Sequence, residues 1–328
     1  MRTGFCCFVL NKDGSRVKGT EFKNTTQTAI RKLSDKQARE KLKSICNHNV
    51  MAILNSINWV AKLPEDQRMF RIGSDVFPFW DHPEFEHFFD DEFMAPLKFG
   101  LAKAGDKARE HNIRLSFHPS QYCVINSETA DVVEKSLVQL ECHAKIVEMM
   151  GFGKTKQDFK INIHLNGRSD VIPVDKMSPV LKNCLTFEND ERTGTLDRVL
   201  EICEKYDFPV VLDIHHYWCS TGEYIFRDDP RVQRVIDTWP VSVRPVMHIS
   251  QSRDEFCSDK VDAPNRNELL KTYNQRDLNK HSDMIDNEAI VEYIVDQFRS
   301  EFDFQVEAKN KSNASAHLCV LMKKYQGE

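Results

Sequence analysis

Short runs of apolar and β-branched residues recur along this chain, separated by longer stretches in which apolar residues return at helical spacing. Eight candidate strands result: TGFCCFVL (3–10), MFRIG (69–73), IRLSFH (113–118), FKINIHL (159–165), CLTFE (184–188), PVVLDIHH (209–216), VRPVMHIS (243–250) and DFQVEAK (303–309). Between them, a capping box opens at Ser34 with Gln37 three residues on, and the amphipathic run VVEKSLVQLECHAKIVEMM covers 132–150. No Gly/Ser linker or low-complexity tract divides the sequence, so residues 1–328 are expected to form a single domain. Eight strand-plus-helix units of about 40 residues each predict an α/β fold, the (β/α)8 TIM barrel. A doubly wound sheet would carry a Gly-rich phosphate loop after its first strand, and none is present.

The third to eighth strands each finish with, or are followed at once by, a residue able to bind a metal: His118, His164, Glu188, Asp213 with His216, His248 and Glu307. In a parallel barrel all C-terminal strand ends lie on one face, so these distant positions converge in a ring. A lone strand-end histidine or glutamate is more often solvated or hydrogen-bonded than ligating. Six strands in succession are different, because so many carboxylates and imidazoles without a counter-charge would suffer repulsion and desolvation that metals relieve.

The donor set is nitrogen and oxygen without thiolate, which suits zinc, manganese or iron(II) and disfavours calcium or a structural Cys-type zinc site. Glu188 could bridge two ions through its two oxygens, as multinuclear hydrolases require for ions about 3.5–4 Å apart. Such a cluster suits phosphodiester hydrolysis without a nucleophilic side chain, and the sequence has neither a GxSxG elbow nor a Walker loop.

Composition narrows the class further. With 41% apolar and 29% charged residues the chain is globular rather than disordered. The N-terminal MRTGFCCFVLNKDG has one short apolar run followed at once by charge, so an intracellular protein (cytoplasm or nucleoid in a prokaryote) without a membrane span is expected. Ten cysteines without a CxxC framework suggest buried, reduced thiols. A net charge of −5 argues against bulk electrostatic coating of nucleic acid but leaves room for a local basic rim.

Five segments, HPSQY (118–122), LTFENDER (185–192), LDIHH (212–216), MHISQ (247–251) and VEAKNK (306–311), together resemble the UV damage endonucleases, in order and over nearly the whole chain. The resemblance implies a barrel related to endonuclease IV that holds up to three divalent ions and incises damaged double-stranded DNA. Incision would fall 5′ to cyclobutane pyrimidine dimers and 6-4 photoproducts and leave a 3′-hydroxyl. It also implies that His118, His164 and Glu188 hold one ion, that Glu188, Asp213, His248 and Glu307 hold a second, and that His216 and His281 serve a third. Manganese is the first expectation, with zinc and iron compatible.

Glu188, Glu307 and His82 are the expected catalytic residues, His82 standing in FPFWDHP as a ligand for a metal or for the scissile phosphate. Gln121 and Tyr122 follow His118 directly and would probe the lesion, a planar ring filling the stack that an extruded base vacates. Phe5 stands where the family has a tyrosine and is expected to stack on DNA, while Val9 replaces a frequent asparagine. Val246 replaces a lysine that lies near the metals in some relatives. Lys309 and Lys311 are candidates for phosphate contact, and DNA affinity should fall as salt rises. The rival readings are an abasic-site endonuclease, a xylose isomerase-like sugar isomerase, which accounts for the carboxylates and His248 but not the other imidazoles, and a catalytically silent damage binder. A monomer without membrane partners is expected.

Overall fold

The computed structural model describes residues 1–257 and 261–325. All eight expected strands form: β1 (Thr3–Cys7), β2 (Met69–Ile72), β3 (Arg114–Phe117), β4 (Lys160–His164), β5 (Leu185–Glu188), β6 (Val210–Asp213), β7 (Val246–Ile249) and β8 (Asp303–Val306). They pair in parallel in sequence order, and β1 meets β8 through Thr3 with Phe304 and Gly4 with Gln305, which closes the (β/α)8 barrel.

The strands are shorter than their apolar runs. β1 stops at Cys7, whose φ of 71° takes the chain into the left-handed region and ends the ladder. β6 stops at Asp213 rather than running to His216, because the Asp213 carboxylate accepts the His216 N–H at 2.8 Å and caps the helix Ile214–Thr221. His215 and His216 are therefore helical, not strand, residues.

The expected capping box at Ser34 and Gln37 opens the helix Asp35–Val60, and the amphipathic run at 132–150 forms the helix Ala130–Met149 with Met150 as its C-cap. Helices bury their apolar stripes against outward strand residues such as Phe117, Ile161, Ile163, Phe187, Met247 and Ile249. Alternate strand residues point into the barrel. Its floor is a small apolar plug of Met69, Val211, Val246 and Trp239, beside an Arg114–Asp303 ion pair at 2.9 Å. Gly4 is required there, since a Cβ would lie 2.5 Å from the Met69 carbonyl oxygen. Above the plug the inward residues are mostly polar, which sets the stage for the C-terminal rim. No helix among the described residues is long and apolar enough to cross a membrane, and all ten cysteines are unpaired.

Candidate metal centre

Strand register brings the expected ligands level. His164 on β4 pairs with Glu188 on β5, and Asp213 on β6 pairs with His248 on β7. His118 and Glu307 stand just past β3 and β8, and the capped turn after Asp213 carries His216 to the same rim. Glu188 sits in the middle. Its Oε2 lies 3.2 Å from His118 Nε2, and its Oε1 lies 3.1 Å from His248 Nδ1 and 3.4 Å from His216 Nδ1. His248 Nδ1 is also 3.1 Å from Glu307 Oε1. The rings of His118 and His164 are 5.0 Å apart, and those of His164 and His216 5.2 Å.

Three groups can each hold an ion: His118 with Glu188 and His248, His164 with Glu188 and His216, and Asp213 with His248 and Glu307. Within each, candidate ligand atoms lie within 4.8 Å of one another. The pattern of hydrogen bonds fits a cation. Glu188 Oε1, Asp213 Oδ2, His248 Nδ1 and His164 Nδ1 are buried without a hydrogen-bond partner. In three of these side chains the other atom is occupied: Asp213 Oδ1 by the His216 N–H, Glu188 Oε2 by Asn162, and His248 Nε2 by Lys160 at 2.9 Å. Each orphaned polar atom costs about 1–3 kcal/mol when nothing binds it. One atom of a side chain left free and the other held by a hydrogen bond is the pattern a nitrogen–oxygen metal site requires, with a ligating imidazole carrying its proton on the held nitrogen.

Ionisation reflects the same crowding. Burial alone would push Glu188 up, but the imidazoles of His248 and His164 outweigh it and hold the carboxyl well below its usual range. Burial, with Glu188 and Glu307 nearby, pushes Asp213 up to about 7. Burial would lower His216, yet Asp213 and Glu188 raise it to about 9, while burial takes His164 down to about 4. A bound cation would favour the anionic carboxylates and neutral imidazoles that ligation needs.

Several residues at the centre were not singled out by sequence. Arg71 on β2 pairs with Glu307 from inside the barrel. Lys160 and Asn162 on β4 reach His248 and Glu188, and Asn189 braces β6 by accepting the Asp213 N–H at 2.9 Å while its carbonyl meets His216 Nδ1 at 3.0 Å. The available signal was KINIH itself, where Lys160, Asn162 and His164 share one face at period two. Burial pulls the Lys160 ammonium down to about 7. Val246 lies in the floor plug, so the lysine at this centre comes from β4 rather than β7.

The remaining expected residues divide. His281 stands outside the three groups but close by, its ring 5.3 Å from His215, which in turn is 6.5 Å from His216. His82 is also outside them; its ring packs 5.1 Å from Phe85 and its Nδ1 accepts the Glu84 N–H. Tyr122 is 80% exposed and, with Gln121, lines a cleft of about 610 Å³ whose walls also include His164, His216, Arg168, Arg192, Asp190 and Glu191. Phe5 departs from the expected DNA contact: it is 1% exposed and packs on Trp59 and Phe70, with no face left for a base. Val9 is likewise buried. Lys309 is exposed and faces Asp283 at 3.6 Å.

Compared over its whole length with known families and proteins, the chain gives a consistent match at the level of sequence. The profile described as UV-endonuclease UvdE matches residues 1–327. A UV DNA damage endonuclease from a Nostoc species is 27% identical over 310 residues, covering 92% of this chain and 86% of that protein. One from Bacillus cereus is 26% identical over 304 residues, covering 89% and 86%. The crystal structure of SacUVDE shares the fold with a TM-score of 0.73 and 24% identity over 99% of both chains. The relatives at this level of identity are UV DNA damage endonucleases, and the chain belongs to the UV-endonuclease UvdE family.

Proposed function

We propose that this chain nicks duplex DNA immediately 5′ to UV photoproducts, cyclobutane pyrimidine dimers and 6-4 photoproducts, by metal-assisted phosphodiester hydrolysis. The observation that carries the reading is the set of three candidate ligand groups, two of them joined through Glu188, with His164 and His216 lining the same cleft as Tyr122. His118, His164, Glu188, Asp213, His216, His248 and Glu307 would hold two to three divalent ions, manganese first, with His281 as a further candidate ligand. Bound ions supply Lewis-acid stabilisation of the phosphate and an acidified water.

The protein's own part is positional. Arg71 holds Glu307 toward His248, and Asn162 holds Glu188, so the ligand atoms are set before an ion arrives. Arg168 and Arg192 flank the cleft where a phosphodiester backbone would run, and Tyr122 and Gln121 are free to enter the stack left by an extruded lesion. The test is incision of an end-labelled duplex carrying one thymine dimer, with manganese and with chelator, beside undamaged and abasic duplexes. Manganese-dependent cutting immediately 5′ to the dimer is expected. Cutting of the abasic duplex alone would replace this reading with an abasic-site endonuclease.

A further inference from the structure

We propose that Asn162, held the right way round by Thr186, is a positioning residue for the Glu188 carboxylate. Asn162 is fully buried on the inner face of β4, two residues before His164. Its Nδ2 donates to Glu188 Oε2, and its Oδ1 accepts from Thr186 Oγ1 at 2.7 Å. Thr186 lies two residues before Glu188 on the same face of β5, and β4–β5 register places Asn162 directly opposite it. The three side chains therefore form one short chain, hydroxyl to amide to carboxylate, across two adjacent strands.

The order of donors within that chain has a consequence for Glu188. A flipped Asn162 would turn Oδ1 toward Oε2 and set two lone-pair-bearing oxygens against each other, so the observed arrangement is the one satisfied at both ends. With Oε2 bound by Asn162, rotation of the carboxylate to exchange its oxygens breaks a buried charge-assisted hydrogen bond. Oε1 is then kept facing His248 and His216, where it has no protein hydrogen-bond partner. His118 also reaches Oε2, but its Nδ1 faces the Pro119 carbonyl at 3.0 Å, which leaves Nε2 as its ligand atom. Asn162 is the partner of Oε2 that an ion does not compete for. Because Glu188 belongs to two of the three groups, this one amide sets the geometry of both.

The inference rests on the metal-dependent reading above, and its test is read on metal binding so that the two fail separately. Manganese binding is measured without DNA, by equilibrium dialysis with elemental analysis, on the full-length wild type and on N162L, T186V and T186S. Unfolding midpoints of the metal-free proteins are measured in parallel. Asn162→Leu should weaken manganese binding by about 10–100-fold, the usual range for an outer partner of a ligand. Thr186→Val keeps the shape and loses the hydroxyl, so it should weaken binding in the same direction, and Thr186→Ser should restore it. A role confined to folding would lower the metal-free midpoints and leave affinity alone. Wild-type affinity in both N162L and T186V, or equal impairment of T186S and T186V, overturns the proposal. A wild type that binds manganese but does not nick DNA would overturn the nuclease reading and leave this one standing.

Discussion

Glutamine at position 188 keeps the shape of the glutamate and removes its charge. Asn162 can still donate to the amide oxygen, so the buried side chain keeps its anchor. The amide nitrogen then takes the place of Oε1, directing hydrogens at His248 and His216, into the space where an ion must sit. Losing an outer partner of a metal ligand costs about 10–100-fold. Glu188 is itself a ligand candidate in two groups, and a loss at least that large in each compounds to about 10²–10⁴-fold, or about 2.7–5.5 kcal/mol. Nicking of the dimer duplex at saturating manganese should fall by that factor in E188Q, while the metal-free unfolding midpoint stays within a few degrees of wild type. Manganese at about 100 times its dissociation constant should stabilise the wild type by about 2.7 kcal/mol, and most of that gain should vanish in the variant. Nicking within tenfold of wild type, or an undiminished manganese-induced shift in midpoint, would refute the assignment of Glu188 as the shared ligand.

Tyr122→Ala should cut the preference for damaged over undamaged duplex by about 5–150-fold, the equivalent of about 1–3 kcal/mol of base stacking, with manganese content unchanged; an unaltered preference removes the probe role. Lys160→Met keeps length and volume but strips His248 Nε2 of its partner, so manganese affinity should drop about tenfold while the metal-free midpoint holds or rises; undiminished affinity would contradict this. Phe5→Leu should lower the unfolding midpoint and leave the damaged-to-undamaged nicking ratio as it was, because the ring packs on Trp59 and Phe70; a reduced ratio would put Phe5 back on the DNA face.

The ring of candidate ligands was legible because parallel closure is a strong constraint. Once eight strands point one way, every residue at a C-terminal strand end must share a rim, and His118, His164, Glu188, Asp213, His248 and Glu307 could be gathered without knowing a single distance. His216 joined them for a different local reason than expected: a capped helix turn carried it there, not an extended strand. Phe5 was misplaced because residue type and sequence position do not say which face of a strand is which. Only the pairing of Phe5 with Phe70 and the packing of Trp59 against it settle that its ring belongs to the layer beneath the helices.

The polar interior behind the rim was harder to see, yet it followed from an energetic argument that KINIH already contained. A lysine and an asparagine alternating with Ile161 and Ile163 in a central strand are too costly to bury unless partners wait inside the barrel. The partners, His248, Glu188 and Thr186, lie on other strands, so they appear only when the barrel closes. An apolar interior would have packed more simply, as the plug of Met69, Val211 and Val246 does one layer down. The polar layer therefore marks where this barrel departs from a plain core. Lys160 and Asn162 each tie down one atom of a candidate ligand above them, which leaves the other atom of that side chain to offer a cation.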